Sequence, residues 1–154
     1  LPVSEPSLTE VALFDEDFVL VHPRGLAPVP AEIGALQEAR LLLLEEGHCF
    51  RDQALAFCNM TSAAPRDGLD GSSLSTLVQM VGAGLGVTLL PAMAVAVETR
   101  SAAVSVARFP APAPSRTVGM VWRRSSPLGP EFTRLAELVR QTGETLWVAQ
   151  KVRA

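Results

Sequence analysis

The 154-residue sequence has only two cysteines, Cys49 and Cys58, and two histidines, His22 and His48. Neither cysteine belongs to a CxxC pair, and so few nitrogen and sulfur donors make a zinc site unexpected; no metal and no cofactor is anticipated. Basic residues are also scarce. Only Arg123-Arg124 pairs two cations, the net charge is −3 and the pI is about 5.4, which leaves no electrostatic footprint for nucleic acid. Long apolar runs are missing too: Leu41 to Leu44 is far too short to span a bilayer, and no signal peptide opens the chain. No repeat is visible. Gly82, Gly84 and Gly86 are followed by no lysine, which argues against a phosphate loop and for close packing of a helix on a strand. Charged residues make up 19% and hydrophobic residues 48%, the balance of a well-buried globular chain of one domain or part of a larger one.

Both cysteines fall in one stretch, Glu45 to Cys58, nine positions apart. From Arg51 onward it reads as a helix, with Gln53, Ala54 and Leu55 as good propagators. Cys49 then lies just before or within the first turn, close to unpaired backbone N–H groups and the positive end of the dipole. With His48 and Arg51 beside it, Cys49 is expected to favour the nucleophilic thiolate. Cys58, next to Phe57 on an apolar face, has no such surroundings. Nine helical steps separate two Cα atoms by roughly 13 Å, whereas a disulfide needs about 4.4–6.8 Å. Joining the pair therefore requires local unwinding, which turns a chemical event into a conformational one. The competing reading is a pair of unrelated buried cysteines.

Along the chain, Thr9 to Phe14 and Phe18 to Val21 read as buried strands separated by an acidic turn, Asp15-Glu16-Asp17. Pro23 to Pro30 is a loop and Pro30 to Leu36 a short helix. Leu41 to Leu44 reads as a short buried strand that feeds the cysteine stretch, and Asn59 to Gly71 as a mobile loop. A helix after Ser72-Ser73 carries Leu74, Leu77, Val78 and Val81 on one face. Its serine caps the helix; the alternative is a small anion held at the helix start. Strands follow at Val87 to Leu90, Val104 to Phe109 and Thr117 to Trp122, with a short helix over Pro91 to Val97. Leu128 to Leu146 forms a terminal helix with Phe132, Leu135, Leu138, Val139 and Leu146 as a core or dimer stripe.

The run Leu43 to Ala54 with Phe57-Cys58 resembles the regulatory domains of the OxyR family, the hydrogen-peroxide sensors among LysR-type transcription regulators. Ser73 to Val81 through Gly84 to Pro91 is similar to LysR-type effector domains in general, and Arg116 to Arg123 with Ser126 to Leu128 matches as well. The resemblance implies an α/β fold of the periplasmic-binding-protein type. It implies that residues 1–15 are a remnant of a first regulatory subdomain, 16–117 a nearly complete second one, and 118–154 the return strand and terminal helix of the first. The chain would then be a fragment without its DNA-binding winged helix, and Thr9 to Leu13 and Val118 to Trp122 should lack strand neighbours. The implied function is peroxide sensing through a Cys49–Cys58 disulfide, with His48, Arg51, Asp52 and Arg116 placed to position or polarise thiolate and peroxide. No enzyme is implied. The implied partners are hydrogen peroxide, a homo-oligomer (dimer or tetramer), a thiol reductant such as glutaredoxin or thioredoxin, and DNA and RNA polymerase through the full-length protein only. The resemblance also implies no membrane partner and a cytoplasmic location. Two alternatives remain: an effector-binding domain for a small organic anion, with incidental cysteines, and a thiol peroxidase with turnover of its own.

Overall fold

One strand runs where two were expected. In the computed structural model, which describes residues 1–25, 30–58 and 70–152, β1 spans Leu8–Pro23 without a break. The acidic triplet does not turn the chain because two of its carboxylates, Asp15 and Glu16, have cross-strand partners. The Thr117 hydroxyl donates to Asp15 Oδ1 at 2.6 Å, and Arg116 donates to Glu16 Oε2 through Nε at 2.9 Å. Donors opposite acceptors hold a strand pair together where bare acidic neighbours would repel.

The chain packs as two units, one of Leu1–Glu16 with Ser115–Ala154, the other of Asp17–Pro114. In the second unit β1 lies between β2 (Thr88–Pro91) and β3 (Val104–Arg108). Both pairings are antiparallel, with Leu20 opposite Leu89 and Ala107. Phe18, Val19, Leu20 and Val21 are at most 3% exposed, the pattern of a short apolar run covered on both faces. Leu42, Leu43 and Leu44 are equally buried, yet Leu41 to Leu44 is not a regular strand. Leu41 makes a parallel bridge to Val87 and Leu44 one to Gly71; each end meets a different segment, so no ladder extends.

Around this sheet lie α1 (Ile33–Glu38), α2 (Cys49–Phe57) and α3 (Leu74–Gly82). A 3-10 turn, Ala92–Ala94, leads into α4 (Val95–Glu98). Ser73 caps α3 by accepting from the Thr76 backbone N–H at 3.1 Å, and Leu77, Val78 and Val81 face inward. The Ser73 oxygen is thus engaged with its own helix, as a cap requires. The expected loop from Asn59 lies outside the described residues up to Asp70, as does part of the Pro23 to Pro30 loop.

In the first unit β4 (Ser115–Arg123) pairs with β1. Thr117 meets Asp15 and the Arg124 N–H donates to Ser7 O at 2.9 Å, so the two run antiparallel. Thr9 to Leu13 and Val118 to Trp122 therefore do not lack strand neighbours; they are on strands that pair with each other. α5 (Gly129–Val152) buries Ala136 at 1% exposure and sets Phe132 on Trp122 with ring centroids 5.7 Å apart. It passes close to β1 at Gly143, where an added Cβ would lie 2.7 Å from the Phe14 ring. Of the expected stripe, Leu135 and Leu138 are exposed, and the Leu146 side chain lies outside the described residues. No helix among the described residues is long and apolar enough to cross a membrane.

Candidate redox site

The site is α2 and its anchors. Gly47 enters with φ +93°, a left-handed conformation that glycine adopts without strain, and His48 is the extended N-cap residue. Cys49 is the first helical residue, so the helix begins two positions earlier than Arg51. Asp52 sits in the first turn, where its carboxylate complements the dipole. Two aromatic contacts pin the helix, one near each end. Phe50 meets Phe18 edge-on at 5.5 Å, and Phe57 meets Phe109 edge-on at 5.3 Å. Ala54, 1% exposed, lies between them.

Both cysteines are free thiols, Cys49 exposed and Cys58 buried. Cys58 is the C-cap residue, its N–H donating to Ala54 O, and burial pushes its thiol above the ordinary value. With α2 intact from Cys49 to Phe57, helical rise separates the two Cα atoms by roughly 13 Å, too far for a disulfide. His48 and Asp52 are exposed beside Cys49. Asp52 and Gln53 are three and four residues on, the spacing that puts side chains on one helix face. Gln53 Oε1 is buried and has no hydrogen-bond partner among the described residues, an unusual state for a native polar atom.

Arg51 points elsewhere. Its Nη1 donates to Leu44 O at 2.7 Å and to Asp70 Oδ2 at 3.0 Å, and its side chain is 11% exposed. The residue expected to polarise the thiol is committed to a carbonyl and a carboxylate under the helix. Sequence reading missed Asp70 because nineteen residues of chain separate it from Arg51 and nothing local marks the pairing. Arg116 donates to Glu16, Nη2 lying 2.8 Å from Oε2. Among the described residues no group of three or more His, Cys, Asp or Glu side chains could hold a metal ion.

The model of the LysR substrate binding domain family matches residues 1–144. This chain belongs to that family. Within it, the chain is 37% identical to the reduced form of the OxyR regulatory domain from Pseudomonas aeruginosa, covering 92% of this chain and 69% of that one, with a TM-score of 0.75. A cysteine mutant of Corynebacterium glutamicum OxyR matches at TM-score 0.85 and 32% identity, over 99% of this chain and 49% of that one. Among curated proteins, a probable hydrogen peroxide-inducible genes activator from Streptomyces viridosporus is 45% identical over 148 residues, 92% of this chain and 47% of that protein. The chain thus spans about half the length of the curated relatives it matches. In this LysR-type domain α2 brings Cys49, His48 and Asp52 to one exposed helix start, while Arg51 is on its buried side and Cys58 at its far end.

Proposed function

We propose that this domain is the hydrogen-peroxide sensor of a LysR-type transcription regulator and that it switches through a Cys49–Cys58 disulfide. One observation carries the reading: an exposed thiol at the first position of α2 and a buried thiol at its C-cap, held apart by the helix between them. The backbone N–H groups of a first helical turn favour an anion there. The sulfur of Cys49 attacks one peroxide oxygen, the O–O bond breaks, the second oxygen leaves as water after taking a proton, and Cys49 becomes a sulfenic acid. Cys58 then attacks that sulfur; the S–S bond forms and the hydroxyl leaves as a second water. His48 and Asp52 flank the reacting sulfur and hold the peroxide, and Arg51 supports the helix from beneath.

The disulfide cannot form on an intact α2, so residues 50–57 unwind, and that is the signal. The sensor is not an enzyme with its own turnover: a thiol reductant of the glutaredoxin or thioredoxin kind returns it to the dithiol. The residue 17–114 unit corresponds to the second regulatory subdomain and the other unit to part of the first. The regulator acts as a cytoplasmic homo-oligomer on DNA and RNA polymerase through the full-length protein. Arg116 holds Glu16 within the other unit.

Serine replacements test the assignment. Cys49→Ser should lose both peroxide consumption and the structural change. Cys58→Ser should still form a sulfenic acid, trapped by dimedone and seen by mass spectrometry, but keep α2 protected in hydrogen exchange. Should Cys58→Ser react as poorly as Cys49→Ser, the attack-and-resolve roles are wrong.

A further inference from the structure

The contacts of Arg51 point to a latch on α2. We infer that Asp70, through Arg51, holds α2 in its helical state and so sets how readily Cys49 and Cys58 join. The inference rests on the thiol-switch reading above and adds a residue to it. Arg51 Nη1 is shared between Leu44 O at 2.7 Å and Asp70 Oδ2 at 3.0 Å. The side chains are 11% and 36% exposed, so this charge-assisted contact is partly shielded from water. Asp70 is held on a firm base. Gly71 beside it donates to Leu43 O at 2.9 Å and accepts from the Glu45 N–H at 3.1 Å. Gly71 also packs on α3, where an added Cβ would come 2.7 Å from Leu77 Cδ2. The carboxylate is therefore presented by core backbone, and the guanidinium by the first turn of the helix that must open.

Arg51 lies between the two cysteines in sequence. Bringing their Cα atoms from roughly 13 Å to within about 7 Å unwinds the turn that carries Arg51 and withdraws its guanidinium from Asp70. The contact belongs to the dithiol form alone. A dithiol stabilised in this way makes its disulfide a stronger oxidant, the direction seen whenever the reduced form is favoured. Loss of the contact shifts the balance toward the disulfide. Asp70 is a positioning residue: it touches neither sulfur.

The test is the equilibrium between the domain disulfide and dithiothreitol. In this exchange the reagent's two thiols reduce the Cys49–Cys58 bond and become its cyclic disulfide. With Asp70→Asn the disulfide should be favoured about threefold more than in the native chain, a potential ~14 mV more negative at 29.6 mV per tenfold. Asp70→Glu should recover most of the native value. Because a part-exposed ion pair is screened by salt, 1 M KCl should move the native potential toward that of Asp70→Asn and leave the variant nearly unmoved. In a Cys58→Ser background, Asp70→Asn should form the Cys49 sulfenic acid at the native rate. Equal potentials for native and Asp70→Asn, a shift of opposite sign, or a native potential indifferent to salt would each overturn the latch while leaving the switch standing. A native chain that forms no Cys49–Cys58 disulfide under peroxide would remove the switch and the latch together.

Discussion

Arg116 holds Glu16 through two nitrogens, Nε at 2.9 Å and Nη2 at 2.8 Å from the same carboxylate oxygen. Glu16 is 1% exposed, deeper than almost any carboxylate without a cation would lie. Removing the cation leaves a buried charge, which costs about 3–5 kcal/mol for a fully enclosed pair. Arg116, with a side chain 29% exposed, lets some water in, and the expected loss for Arg116→Ala is about 2 kcal/mol. Urea titration at neutral pH measures it, with Glu16→Gln losing less. A change below about 0.5 kcal/mol, the range of ordinary surface substitutions, would show that the pair does not support the β1–β4 ribbon.

The glycines near β2 make a second prediction. A Cβ on Gly86 would collide with the Arg40 carbonyl oxygen and lie 3.0 Å from Leu42 Cγ. That carbonyl cannot retreat, because it accepts from the Val87 N–H at 2.9 Å while the Leu42 N–H donates to Val87 O at 2.8 Å. Gly86→Ala should destabilise by about 2–3 kcal/mol. At Gly71 the clash is with the Leu77 side chain, Cδ2 at 2.7 Å and Cγ at 2.9 Å, which can shift where a hydrogen-bonded carbonyl cannot, so Gly71→Ala should lose less, about 1 kcal/mol. Urea titrations giving equal losses at the two positions would sink this account.

Much of this was legible in the sequence, and the exceptions share a cause. Ser73 as a cap with Leu77, Val78 and Val81 beneath it follows from local chemistry, and the helix has that form. The Gly82 to Gly86 run was read as close helix–strand packing. Gly82, at the end of α3, fits that reading: an added Cβ would lie 3.3 Å from Ala103 N and 3.8 Å from Val104 Cγ1 at the start of β3. Gly86 instead fits against the Arg40 carbonyl and the Leu42 side chain, while Gly84 has φ +80° with open space where a Cβ would stand. Asp15-Glu16-Asp17 was misread as a turn because the partners that keep it extended, Arg116 and Thr117, lie about a hundred residues away. Leu41 to Leu44 has the composition of a strand, but its two bridging neighbours are different segments, and composition does not report neighbours. The cysteine helix was legible in place, though it begins at Cys49 and not at Arg51. The orientation of Arg51 was not, since its partner Asp70 is supplied by the fold and not by spacing.

The last prediction concerns pH. Burial pushes the Cys58 thiol above its ordinary value of 9.0, so the folded chain holds this proton more tightly than the unfolded one does. The resulting stability is fully present below the unfolded value and is lost as pH rises through the raised folded value. The native chain should therefore match Cys58→Ala in the shape of its stability–pH profile up to about pH 8. Above about pH 9 the native chain should lose stability faster, at no more than 1.36 kcal/mol per pH unit for a single group. The same burial predicts how the thiols react. Iodoacetamide attacks thiolates, so the exposed Cys49 should be modified in the folded chain while Cys58, 0% exposed, should need α2 to open first. In 8 M urea both should react at similar rates. Mass spectrometry of the alkylated chain from pH 7 to 10 reads both effects. If Cys58 in the folded chain were modified as fast as in urea, its thiol would not be shielded at the end of α2, and opening of the helix could not be what admits it to the sulfenic acid on Cys49.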